Sequence, residues 1–199
     1  MRDLFFYPFA ALIISGLIFA ALLPGERFDI STDSILQQGY VLKGTAFENL
    51  IASPGTSHSL ITEKANISEG ADVYTQMTSH LTRKDAPPSA GVFATLGRDY
   101  AQVFSGHPIE IKVIARQSET RPVEQFEMGY FAPGQGQSGW KTYQLTQDYQ
   151  SYTLIYAPKE TRDDDRVHYF GIWPDPEGQQ RYMDVIEMSV KRVMPAAGN

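Results

Sequence analysis

Ile109-Glu-Ile-Lys-Val-Ile-Ala-Arg116 alternates with a period of two. Ile109, Ile111, Val113 and Ala115 fall on one face, and Glu110, Lys112, Ile114 and Arg116 on the other. A strand with one side in a core and the other toward water reads this way. Downstream, Phe126–Phe131, Thr142–Leu145 and Tyr152–Tyr156 are further strand candidates between Gly- and Pro-rich turns. Val167–Trp173 and Met183–Val193 close the series. Upstream, Val41–Leu50 and Ser59–Lys64 are short candidates, and Asp72–Thr78 alternates again. Arg83–Ser89 holds Pro87-Pro88 and reads as a loop. After residue 24 no segment has the apolar period of an amphipathic helix longer than two turns. About eight or more short strands without intervening helices predict an all-β antiparallel sandwich.

Bulk composition narrows the class. The 199 residues contain no cysteine, so neither a disulfide nor thiol chemistry is available. Roughly 170 residues follow the apolar start, enough for one domain held by packing alone. The formal net charge is −6, and no run of five basic residues occurs. Such a surface repels phosphate backbones and anionic headgroups, which excludes nucleic acid as a partner.

Leu4–Leu23 reads LFFYPFAALIISGLIFAALL, with no charge. At ~1.5 Å per residue this spans roughly 30 Å, the thickness of a bilayer's hydrocarbon core. It is longer than the ~7–15-residue apolar region of a signal peptide. Only Met1-Arg2-Asp3 precedes it, and no small-x-small cleavage site stands before Pro24. The expectation is a single-pass transmembrane anchor over residues 1–23 with lipid contact through 4–23. A linker over 24–38, an antiparallel jelly-roll sandwich over 39–194 and a short tail over 195–199 follow. The size of the domain behind a first apolar segment places it on the periplasmic, extracytoplasmic side of the inner membrane. Ala11 with Ser15, and Gly16 with Ala20, have the small-x-x-x-small spacing that lets helices approach closely.

Within Gly91–Val193 three ordered segments stand out. Gly106-His-Pro-Ile-Glu-Ile-Lys-Val-Ile-Ala-Arg116 is followed by Trp140-Lys-Thr-Tyr-Gln-Leu-Thr146 with Tyr149-Gln-Ser-Tyr152. Ile172-Trp-Pro-Asp-Pro-Glu-Gly178 then leads into Tyr182-Met-Asp-Val-Ile-Glu-Met188. Together they resemble the central wall, the aromatic strand pair and the closing hairpin of jelly-roll carbohydrate-binding modules of the galactose-binding-like superfamily. Phe47-Glu48 resembles the start of such a module. The resemblance implies a two-sheet sandwich, in some members a glycan groove, and often a structural calcium. Asp184 matches the calcium-associated acid of the last strand, and Glu48 is the candidate N-terminal ligand. No other cofactor is expected.

Catalytic constellations are missing from the sequence. His58, His80, His107 and His168 form no His-x-x-x-His pair, and there is no nucleophile elbow or phosphate loop. Ser57 and His58 are neighbours on a strand and so point to opposite faces. Carboxylates at Glu124, Glu127 and Asp163–Asp165 leave a glycoside hydrolase as a minor alternative. Aromatics are the enriched feature, with 2 Trp, 11 Tyr and 11 Phe. Rings fill sandwich cores but also stack on sugars. Tyr130, Trp140, Tyr143 and Trp173 are the candidate ligand contacts. The leading expectation is a non-catalytic accessory subunit docked on integral-membrane partners, for example in a respiratory or photosynthetic complex. The alternative is a surface-anchored carbohydrate-binding module with a glycan as partner.

Overall fold

The computed structural model describes residues 31–63, 72–160 and 167–193. The anchor expected at Leu4–Leu23, with Ala11, Ser15, Gly16 and Ala20, lies outside the described residues, as do the tail and Asp163–Asp165. Among the described residues no helix is long and apolar enough to cross a membrane.

Among the described residues twelve strands form the body: β1 (Tyr40–Lys43), β2 (Ile51–Ala52), β3 (Thr56–Glu63), β4 (Asp72–Ser79), β5 (Val92–Leu96) and β6 (Ile109–Gln117) come first. Next are β7 (Gln125–Ala132), β8 (Gly136–Gln137), β9 (Lys141–Gln144), β10 (Gln150–Tyr156), β11 (His168–Trp173) and β12 (Tyr182–Arg192). They make the antiparallel sandwich that the alternation predicts. One sheet runs β10-β6-β12-β4-β3, with β1 also on β12. The other runs β2-β5-β11-β7-β8, with β9 also on β7.

The core lies between the sheets. Ile109, Ile111, Val113 and Ala115 of β6 are fully buried, as their period-two spacing predicts. Phe126, Met128, Tyr130, Phe170 and Ile172 of β7 and β11 supply the opposing layer. Each large apolar side chain so enclosed contributes about 1.5–3 kcal/mol. A bulge in β12 between Val185 and Glu187 keeps this face apolar along an 11-residue strand. Met183 and Val185 point inward before it, and Met188 and Val190 after it. The one-residue shift restores the inward set that strict alternation would have turned to solvent. At the same point β12 changes partner on one side, from β4 to β1.

Two short helices depart from the sequence reading. Thr32–Gln38, expected as the end of a linker, is helix α1. Ser31 caps it by accepting a hydrogen bond from the Ser34 backbone N–H at 3.2 Å, and Asp33 sits in its first turn. Its one buried side chain, Ile35, reaches the core, so the folded unit starts before residue 39. Arg98–Phe104 is helix α2, with Ala101 and Phe104 buried. The region Val41–Leu50 splits into β1 and a 3₁₀ turn at Gly44–Asn49 that buries Phe47.

Candidate functional site

The outward side of the second sheet carries a groove of about 240 Å³ lined by Ile51, Ser53, Ser89, Phe93, Phe131 and Tyr169. Register explains how four strands converge there. Ile51 of β2 pairs with Phe93 of β5, Phe93 with Gly171 of β11, and Gly171 with Gly129 of β7. One step along, Tyr169 pairs with Phe131. Because alternate residues share a face, these side chains stand away from the core that Phe126, Met128, Tyr130, Phe170 and Ile172 fill.

The glycine pair lets the aromatic rings lie low on the sheet. A Cβ at Gly171 would stand 2.8 Å from Phe93 Cδ1 and 3.0 Å from Trp140 Cη2. One at Gly129 would meet the Gly139 carbonyl at 2.9 Å and Phe131 Cζ at 3.2 Å. Phe93 meets Phe131 edge-on at 5.8 Å between centroids and Tyr169 edge-on at 6.4 Å. Trp140 leans on Phe131 at 5.2 Å. Ser53, Ser89 and Tyr169 complete the lining, whose surface is almost wholly apolar.

One end of this face is braced by Arg83. Its guanidinium carbon lies 4.9 Å from the ring centroids of both Trp140 and Trp173. Its Nη1 and Nη2 donate to the Pro87 and Pro88 carbonyls at 3.1 and 2.9 Å. Trp140 Nε1 donates to the Pro88 carbonyl at 2.7 Å. The Pro-Pro loop that presents Ser89 is thus fastened to the sheet. Arg83 Nε also stands 3.7 Å from Glu127. Burial pushes the Glu127 carboxyl above its usual 4.5, while the Arg83 charge and a Thr142 hydrogen bond pull it back.

The four aromatic residues expected as ligand contacts divide sharply. Trp140 stands beside the groove. Trp173 is on the same side of the sheet but fully buried beneath Arg83, with Nε1 donating to the Asp175 carbonyl. Tyr130 faces the core, fully buried, with its hydroxyl 2.8 Å from His168 Nδ1. Tyr143 also turns inward, stacked on Phe126 at 5.5 Å. Each falls on the inward phase of its strand, Tyr130 within the core and Tyr143 partly buried against it. Ile51, Phe93, Phe131 and Tyr169 were missed. Glycine inside a strand marks a close approach, and Gly129 and Gly171 were the signal that would have found them.

The two expected calcium ligands are placed differently from a metal site. Asp184 is fully buried on the outer side of the first sheet. It accepts from Arg116 Nε at 3.2 Å and from Gln76 Nε2 at 3.3 Å. Arg116 in turn stacks 4.7 Å above the Tyr149 ring. Glu48 is solvent-exposed on the 3₁₀ turn. Among the described residues no three His, Cys, Asp or Glu side chains gather to hold a metal ion. Calcium takes six to eight oxygens, and a carboxylate engaged by a guanidinium does not fit that donor set.

No protein-family profile and no curated protein matches this sequence. Solved structures do match. A tandem of CBM22 modules from Paenibacillus barcinonensis Xyn10C is 13% identical with a TM-score of 0.55, over 80% of this chain and 46% of that one. The CBM22-2 xylan-binding domain of the same protein is 8% identical, TM-score 0.51, over 77% of this chain and 99% of that one. An exo-β-agarase is 10% identical, TM-score 0.51, over 78% of this chain and 26% of that one. This chain has the jelly-roll fold of carbohydrate-binding modules. It spans less than half the length of the tandem and agarase chains, and nearly all of the single module.

Proposed function

We propose that this protein is a non-catalytic carbohydrate-binding module that holds a glycan in the groove on the outer face of its second sheet. The observation that carries the reading is the groove itself. Low-lying rings of Phe93 and Phe131, with the Tyr169 ring beside them, form an apolar floor, and Ser53 and Ser89 also line it. A sugar ring has an apolar face for such a floor. The fold likeness supports the same reading, since one neighbour is a xylan-binding domain.

The accessory-subunit expectation drew on the apolar segment Leu4–Leu23 and has no supporting observation in the fold or its neighbours. The anchor and the extracytoplasmic location remain part of the proposal, because a tethered module would hold its glycan near the membrane. Affinity electrophoresis of the full-length protein in mild detergent, through gels containing xylan, mixed-linkage glucan or agarose, tests it. Retardation by one polysaccharide that Tyr169→Ala abolishes is the expected result. Equal mobility in every gel would refute it.

A further inference from the structure

The groove has an unusual balance of chemistry for a glycan site. Of the six residues that line it, Ile51, Phe93 and Phe131 offer no hydrogen bond at all. Ile51 is 58% exposed, among the most exposed large hydrophobic side chains of the described residues. It belongs to the two-residue edge strand β2 and pairs with Phe93, so its aliphatic surface extends the aromatic floor sideways. An aliphatic side chain supplies neither a flat ring for stacking nor a partner for a hydroxyl. A sugar hydroxyl pressed against it would lose its water without replacement. A methyl group there would instead leave water for an apolar wall.

Charge points the same way. The Arg83 guanidinium, at one end of this face, already serves the Pro87 and Pro88 carbonyls, two indole faces and Glu127. The chain carries a net charge of −6. None of the six lining residues is a cation, so a uronate or sulfated sugar would find no charge partner among them. The size of the groove, about 240 Å³, suits one sugar unit with a small substituent rather than a long run of chain.

We infer that the groove selects a neutral sugar unit bearing a methyl group, with that methyl seated against Ile51 and the edge of Phe93. The inference rests on the carbohydrate-binding reading above. Two kinds of unit supply the chemistry, an O-acetylated sugar and a 6-deoxy sugar. Burying one methyl and sparing one hydroxyl its desolvation together predict at least about tenfold tighter binding than the parent sugar.

The test uses the full-length protein in mild detergent on a printed array of matched pairs. One arm compares O-acetylated xylo-oligosaccharides with the same oligosaccharides after mild-base deacetylation. The other compares 6-deoxyhexosides with their parent hexosides. The expected result is at least about tenfold preference for the methyl-bearing member in one arm, which also identifies the source. Ile51→Ser, on an exposed edge, should reduce that preference toward parity. Equal binding within both pairs would overturn the inference while leaving the carbohydrate reading intact. A preference undiminished in Ile51→Ser would overturn the assigned seat. Binding to no glycan would remove both.

Discussion

Gly171 of β11 stands directly opposite Gly129 of β7, and the missing side chains of this pair form the bed on which the groove's rings rest. Gly171→Ala would place a methyl against Phe93 and Trp140. Both rings would have to lift, at a cost of about 1–3 kcal/mol for overpacking. The expected outcome is a lower melting temperature with loss of glycan retardation. Gly97→Ala is the control, since a Cβ there has no neighbour within 4 Å. Unchanged stability and binding in Gly171→Ala would show that the rings do not need the glycine bed.

On the opposite sheet, Asp184 and Arg116 are an unequal pair, because Asp184 is fully enclosed while Arg116 is 20% exposed. Burial raises the Asp184 carboxyl above its usual 3.8, and Gln76, Ser118 and Arg116 lower it again. A carboxyl raised on folding contributes stability that is complete below pH 3.8 and is lost as pH climbs through the folded value. Arg116→Met removes one of the lowering influences and strands the charge. It should cost about 3 kcal/mol at pH 7 and progressively less as pH falls toward 4. Asp184→Asn leaves the partly solvated arginine with Glu119 at 3.9 Å and the Tyr149 ring, and should cost less, with a flatter acid profile. Thermal melts from pH 3.5 to 7.5 decide this, and equal losses at every pH would contradict it.

At the centre of β6, Ile111 pairs with Leu154 on one side and Val190 on the other. It is fully buried. Ile111→Asp puts an unpaired charge into this layer and should cost several kcal/mol, visible as loss of the cooperative melt. Ile114→Asp, on the outward phase of the same strand, should melt close to the wild type. Similar melts for both variants would mean that the two faces of β6 are misassigned.

Much of the fold was legible because one face of each long strand is buried and the other is not. Ile109–Ala115 shows this directly, and the pattern survived in β12 only because a bulge resets its phase at Ile186. Strand β5 was invisible for the opposite reason. Val92, Ala94 and Leu96 face the core, but Phe93 faces the groove and is itself mostly covered, so Thr95 alone marks the outward phase. Helix α1 is seven residues long with a single buried side chain, too little for a helical period to emerge. The groove suffered from a related ambiguity. Tyr130 and Phe131 are adjacent aromatics, so one must point inward and one outward. Composition cannot say which, because both phases of β7 are apolar near its end.

That ambiguity yields the sharpest test of where the ligand sits. Phe131 lines the groove, and Tyr130, one residue earlier, fills the core and bonds His168. Phe131→Ala removes a partly exposed ring from the groove floor. Binding should weaken by at least tenfold, since stacked rings contribute of the order of 1–3 kcal/mol in comparable aromatic contacts. The loss of stability should be smaller than for a fully enclosed ring, because water already reaches part of the side chain. Tyr130→Phe keeps the buried ring but strips the hydroxyl from the His168 contact. It should lower stability by about 1 kcal/mol through loss of this buried hydrogen bond, while glycan affinity stays near wild type. Calorimetric titration beside thermal melts separates the two variants. If Tyr130→Phe weakened binding and Phe131→Ala did not, the ligand would lie on another surface.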